Sequence, residues 1–416
     1  MLTRALAAQE TFSRRLDDAT ASQASVYAGR GGVAVFFLRL AHYRAERGEA
    51  ERATSALTRA QVELDATRAT RNRARGPTFL EGSAGNNAVR AAVAAAAGRH
   101  ADAARAAARV TDAEHEQMPP DDCELLYGRA GYLHACLVAR QAAGAACVPD
   151  AVIVRTATAI LDSGVAAADA AGPAFAQHWG LLFRWKGADY LGAAHGLAGI
   201  VTTLLQAEAA LANTGWRLPH AARLCAATLA LATAVMPSGN LPTRVTGRDA
   251  DDRLVQWCHG APGLLLLAAH SAAAAERGSS AGVPYARIAP QLDAAAECVW
   301  CDAAMSRSRQ LPLDARQILT RFPSRRQRGL LHKGVGLCHG VAGNAYALLA
   351  HWRTSRNERS LRRARCFAGW AATHLAPLQR VPDRPNSLYE GAAGLAVLCV
   401  DLLRDPARAR QPGAEL

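Results

Sequence analysis

The chain has 416 residues, 50% of them hydrophobic and 20% charged, with a formal net charge of +13. It can bury a large core, and length alone suggests two or three domains unless a repeat architecture overrides that count. The basic balance suits an acidic membrane surface or nucleic acid, but no aromatic-interleaved basic patch or zinc-finger spacing supports a nucleic-acid partner, which leaves peripheral membrane contact open.

The opening stretch, "MLTRALAAQETFSRRLDDAT", scatters charges through its length and holds no apolar run of the kind a secretory signal needs, so a cytoplasmic location is expected. Ten cysteines in such a chain read as thiols, most of them small core residues. Cys298 and Cys301 form a CxxC pair, but no second pair follows, and the intervening Val-Trp suits a helix face. The longest stretch free of Asp, Glu, Lys and Arg, 254–275, is broken by Gln256, two histidines, Pro262 and Gly263. It reads as a buried helix, and no transmembrane anchor is expected. Of the 48 basic side chains only Lys186 and Lys333 are lysines, which marks both for inspection in a chain whose arginine bias looks like GC-rich coding.

A G-x-x-G pair recurs seven times, each followed by an apolar run. In chain order the copies are "YAGRGGVAVFF", "LEGSAGNNAV", "LYGRAGYLHA", "AAHGLAGIVTTLL", "WCHGAPGLLLL", "LCHGVAGNAYALL" and "LYEGAAGLAVLCV". Their first glycines are Gly29, Gly82, Gly128, Gly196, Gly260, Gly340 and Gly391, so each cycle has room for two helices and two loops. Apolar residues between them fall at helical spacing, and strand signals are few. Seven helix pairs with one apolar member each can hide that member by closing into a ring, which predicts an all-α, α/α toroid over 1–416. An open solenoid would have more uniform repeats. The glycines let chain turns approach closely at the N-terminal ends of the inner helices and gather all seven motifs around one mouth. Segment 302–327 reads as an inserted basic surface loop or lid.

If the motifs share a rim, Cys258, Cys338 and His339 converge and offer two thiolates and an imidazole to a zinc ion, with one coordination position open. Thiolates at helix N-termini are favoured by the helix dipole. His259 is too close to Cys258 in sequence to bind the same ion comfortably, and is expected either to support the ligands from behind or to face substrate. His195 stands in its repeat where Cys258 and His259 stand in theirs, and its titration range suits proton transfer.

"GAAHGLAGI", "WCHGAPG", "GLLHKGVGLCHG" and "RVPDRPNSLYEG" occur in the order that resembles the lanthionine synthetase C-like family, with "LYGRAGY" in support, and the likeness spans nearly the whole chain. The resemblance implies a toroid of seven inner and seven outer helices around zinc, with Cys258, Cys338 and His339 as ligands and His195 as acid/base residue. The alternative the resemblance offers is a dedicated lanthionine cyclase, which adds a cysteine thiol of a ribosomal peptide to a dehydroalanine or dehydrobutyrine of the same peptide; such members commonly carry Tyr after the first zinc cysteine, where this chain has His259. The motifs look closer to the eukaryotic-type members, which bind glutathione and add its thiol to dehydroalanine or dehydrobutyrine residues of proteins. That likeness implies that Lys333 and Arg380 hold glutathione. Arg4 matches a family arginine only as a lone residue. The reaction then requires a zinc-activated thiol, and a proton supplied to the α-carbon by His195 or His259.

Two other functions compete. A non-catalytic zinc- and glutathione-binding module would use a fourth protein ligand, for instance His259. An α/α-barrel glycosidase would need two carboxylates facing the cavity; Glu81 and Glu390 lie at motif rims but leave the Cys/His set unexplained.

Overall fold

Each glycine pair starts a helix. The computed structural model describes residues 16–70, 76–112, 118, 121–246, 252–300, 333–378 and 382–416. In it the first glycine of each pair precedes the first helical residue, and the second lies in the first turn. These seven helices are α1 (Arg30–Glu46), α3 (Ser83–Ala96), α5 (Arg129–Ala143), α7 (Leu197–Ala210), α9 (Ala261–Glu276), α11 (Val341–Ser355) and α13 (Ala392–Arg404). Alternating with them are α2 (Ala50–Ala66), α4 (His100–Asp112), α6 (Asp150–Ala170), α8 (Ala221–Thr233), α10 (Tyr285–Trp300) and α12 (Glu358–Thr373). The described residues hold no β-strand beyond isolated bridges.

The two sets differ in how they are buried. In α4 the buried residues are Ala103, Ala106, Ala107 and Val110, one stripe at the i, i+3, i+4, i+7 spacing of a one-faced helix. In α7 every residue from Leu197 to Glu208 is buried, and in α11 every residue from Val341 to His351. A helix apolar all round must be enclosed on all sides. The odd-numbered helices therefore form an inner ring and the even-numbered ones cover it. Successive inner helices pack side by side, and α13 packs back onto α1. This is the expected α/α toroid. Six outer helices lie among the described residues; in the position before α1 there is only the short helix Asp18–Ala21, with residues 1–15 outside the described set.

Backbone hydrogen bonds close the ring at the helix N-termini. Tyr27 N donates to Leu80 O, Phe79 N to Gly131 O, Leu125 N to Ala194 O and Ala194 N to Cys258 O. Cys258 N then donates to Cys338 O, Cys338 N to Tyr389 O and Tyr389 N to Tyr27 O, all seven at 2.8–3.5 Å. The circuit visits every repeat once, in one sense, and returns to its start. Glycine is what permits it: a Cβ added at Gly199 would overlap the carbonyl oxygen of Ala193, the turn residue it packs against.

α6 is the one helix among the described residues long and apolar enough to cross a membrane. It sits in the outer ring with Val152, Ile153, Ile160 and Leu161 buried, and carries Asp150, Arg155, Asp162 and Asp169. Stretch 254–275 became the turn before α9 and α9 itself, an enclosed inner helix.

Candidate metal centre

The backbone circuit decides which side chains meet. Because Cys258 N bonds Cys338 O, two cysteines from different repeats are direct neighbours at the mouth. One ligand atom from each of Cys258, Cys338 and His339 lies within 4.8 Å of the other two. Tetrahedral zinc with bonds of about 2.3 Å to sulfur sets sulfurs about 3.8 Å apart, so this cluster fits a Cys₂His donor set after small movements. Among the described residues it is the one such cluster, and it holds three donors.

Its electrostatics also fit a cation. Cys338 is buried, and its thiol is pushed well above the usual range, first by the Cys258 thiol it bonds and then by burial. His339 is pushed up because its ring bonds Cys338. Two adjacent buried sulfurs resist ionising together, and a divalent cation supplies the charge that lets both do so.

Local structure fixes each ligand. Residues 256–259 form a tight turn, with Gln256 N bonding His259 O at 3.0 Å and His259 N bonding Gln256 O at 3.1 Å. Gly260 follows at φ 109°, a left-handed value that glycine tolerates. Asn240 holds this turn against α9: its Oδ1 accepts from Ala261 N at 2.9 Å while its Nδ2 donates to Leu254 O at 3.2 Å. Asn344 of α11 ties down the same loop by donating to Val255 O at 2.9 Å. On the other side the Tyr27 hydroxyl bonds the Cys338 thiol, and its ring stacks on Tyr389 at 4.8 Å.

In the second to seventh repeats the residue immediately before the first glycine is polar or ionisable: Glu81, Tyr127, His195, His259, His339 and Glu390. His195 shares a repeat position with His339. It lies beside the metal cluster rather than in it, with its ring 6.3 Å from that of His259. Its Nδ1 is 2.6 Å from Glu124 Oε2. Glu124 also accepts from Leu126 N at 2.9 Å and from Tyr127 N, so it acts as a carboxylate acceptor and His195 Nδ1 carries the hydrogen. Trp185 stacks on the imidazole at 3.7 Å and 3°. Tyr190 packs beside both histidines, 6.2 Å from His195 and 5.5 Å from His259.

His259 is pushed down to about 4, by burial first and then by His195, Arg244 and Lys333, and its Nδ1 is buried without a hydrogen-bond partner. Lys333 is exposed, and its charge is felt at both His259 and His339, which places it at the mouth. Glu81 is pushed up to about 7 by burial, against the pull of Ser25 and Arg384. Arg4, Arg380 and segment 302–327 lie outside the described residues, as does Cys301 of the CxxC pair; Cys298 is buried in α10.

Sequence reasoning passed over Glu124, Trp185, Asn240 and Tyr27. Glu124 carried a signal, being a charge in the otherwise apolar lead-in "CELLYG". Trp185 precedes Lys186, one of the two lysines, whose ammonium sits 4.5 Å from the indole centre.

A family model described as lanthionine synthetase C-like protein matches residues 20–416. The chain belongs to the lanthionine synthetase C-like family. Within it, the chain is 30% identical over 401 residues to glutathione S-transferase LANCL1 of Danio rerio, covering 94% of this chain and 84% of that one. It is 30% identical over 302 residues to LanC-like protein GCL1 of Arabidopsis thaliana, covering 70% of this chain and 58% of the plant protein. In fold, this family member is similar to the solved structure of nisin cyclase, with a TM-score of 0.52 at 14% identity over 96% of this chain and 93% of that one.

Proposed function

We propose that the protein is a zinc-dependent enzyme that adds a thiol, most simply that of glutathione, to dehydroalanine or dehydrobutyrine residues of a protein or peptide. One observation carries this reading: Cys258, Cys338 and His339 meet within 4.8 Å beside a carboxylate-oriented histidine. The likeness to a protein named glutathione S-transferase favours glutathione as the thiol.

Zinc held by Cys258, Cys338 and His339 would supply the charge that keeps a substrate thiol deprotonated near neutral pH. Three protein donors suit a site that accepts a further ligand, rather than a closed structural one. Lys333 is the cation for a carboxylate of the tripeptide, and Arg380, which matches the family's second cation in sequence, is assigned the other. When the thiolate joins the β-carbon, the π-electrons move to the carbonyl and the α-carbon must gain a proton. His195 supplies it from Nε2, which first takes up the proton the thiol releases, while Glu124 accepts from Nδ1–H and balances the imidazolium so formed. Trp185 and Tyr190 flank the imidazole and shield it from water.

Incubating the zinc-loaded chain with glutathione and a peptide holding dehydroalanine tests this by mass spectrometry. A gain of one glutathione is expected. A peptide carrying its own cysteine that loses its free thiol without mass change assigns intramolecular cyclisation instead. No reaction with either peptide, in protein that holds zinc, overturns the enzyme reading in favour of a binding module.

A further inference from the structure

The end of the toroid away from the glycine rim is half plugged by the chain's own last residues. Gln206 Nε2 of α7 donates to Ala414 O at 2.8 Å, Arg353 of α11 binds Glu415, and His270 of α9 lies 3.5 Å from the same carboxylate. These contacts hold segment 406–416 to the side of the bore formed by α7, α9 and α11. On the side of α1, α3 and α5 a cavity of about 590 Å³ stays open. That is within the size range of small-molecule sites, about 300–1,000 Å³.

The lining has two characters. Val35 of α1, Val89 of α3 and Val138 of α5 give an apolar wall, while Arg39, Arg408 and Arg410 bring guanidinium groups. Local carboxylates do not balance the positive charge. Asp401 takes Arg39 at 3.7 Å and the Tyr346 hydroxyl at 2.7 Å, Glu46 is shared by Arg404 and Arg408, and Glu415 is bound by Arg353. Four arginines, Arg39, Arg404, Arg408 and Arg410, thus line the cavity against the three carboxylates Asp401, Glu46 and Glu415, the last already bound by Arg353. Arg410 is pushed down by burial and by the neighbouring charges of Arg353 and Arg39. Arginines near helix C-termini also suit the helix dipole, which by itself explains part of the cluster.

His134 points further. It lines the cavity from α5, is 0% exposed, and neither ring nitrogen has a hydrogen-bond partner. Burial pushes it down to about 3, so it is a neutral imidazole with one donor and one acceptor unused. A buried polar group without a partner is costly and uncommon, and a ligand polar atom reaching it removes that cost.

We propose that this half-bore is a second binding site, for an amphiphilic phosphate: a dianionic head taken by Arg39, Arg408 and Arg410, and an apolar tail lying along Val35, Val89 and Val138. The guanidinium groups suit a phosphate head, and one continuous cavity presents both surfaces. The site is distinct from the metal centre: the cavity runs up the bore as far as Phe79, but none of Cys258, Cys338 and His339 lines it.

Calorimetry on the zinc-loaded chain tests it with octyl phosphate as probe. One molecule is expected to bind per chain, about tenfold or more tighter than octanol or inorganic phosphate, since each of these engages one surface only. The double variant Arg39→Gln/Arg408→Gln should weaken binding about tenfold. Ala95→Trp, which fills the tail space from α3, should abolish binding with zinc content unchanged. Co-sedimentation with phosphatidylcholine vesicles containing phosphatidate separates the sources. Vesicle binding lost in Ala95→Trp assigns a lipid; octyl phosphate binding without vesicle binding assigns a soluble amphiphile. Equal affinity for octanol and octyl phosphate, binding indifferent to both variants, or no binding of the probe overturns the proposal.

Discussion

Glu124 Oε2 accepts a hydrogen bond from His195 Nδ1 at 2.6 Å, joining a carboxylate of the third repeat to an imidazole of the fourth, 71 residues apart. In the mechanism proposed above the pair would divide the work of proton transfer: the carboxylate fixes which nitrogen bears the hydrogen, and the imidazole delivers a proton from the other. Replacing His195 with Asn should lower thioether formation about 10²–10⁴-fold. Glu124→Gln should cost less, about 10–100-fold, since the ring remains but its tautomer and orientation are no longer enforced. Metal content should stay at the parent value in both, and its loss would show that these residues support the cluster instead.

The metal cluster makes a separable prediction. Purified protein should contain about one zinc per chain by elemental analysis. Cys338→Ala should lose both the metal and thioether formation, because two remaining donors cannot hold a tetrahedral ion firmly. Metal retained at full occupancy, or undiminished turnover, in that variant contradicts the assignment.

Asn240 connects stability to the site. Its amide satisfies Ala261 N at the start of α9 and braces Leu254 O in the loop that carries Cys258. Asn240→Ala should lower unfolding free energy by about 1–3 kcal/mol. It should also speed zinc loss to a chelator, which a purely distant defect would leave unchanged.

Glu81 links stability to pH. Its folded value, about 7, lies above the ordinary value of 4.5. The folded state therefore holds this proton more tightly than the unfolded state, and the parent loses stability as pH rises from about 4.5 to about 7. Glu81→Gln removes that loss. Denaturant unfolding should show the variant gaining on the parent across this window, by at most about 3 kcal/mol. A difference that is flat with pH contradicts the raised value.

The glycine circuit is the most demanding feature. Gly343→Ala drives a Cβ into the carbonyl of Leu337, which lies in the turn just before Cys338. Since backbone rather than a flexible side chain must give way, the cost should exceed about 3 kcal/mol, at the upper end of single substitutions. Alanine on an exposed loop glycine such as Gly144 meets no neighbouring atom, and its cost is confined to the strain of its positive φ. Thermal unfolding of the two variants makes the comparison.

What the sequence determined by itself was periodic and local. Seven glycine pairs, each running into an apolar segment, specify seven helix starts, and helices apolar all round specify enclosure, so the ring follows from counting. Paired "CHG" motifs in equivalent frames likewise single out Cys258, Cys338 and His339, since repeat position alone puts them on one rim. Which neighbours complete the site is a matter of register around that ring, which no local pattern encodes. Only the closed circuit of backbone bonds brings Glu124 under His195, Trp185 over it and Tyr27 against Cys338. The far cavity has the same origin: its walls come from four inner helices and the chain's last residues, and its charge balance exists only once Arg39, Arg408 and Arg410 share one space with Glu46 and Asp401.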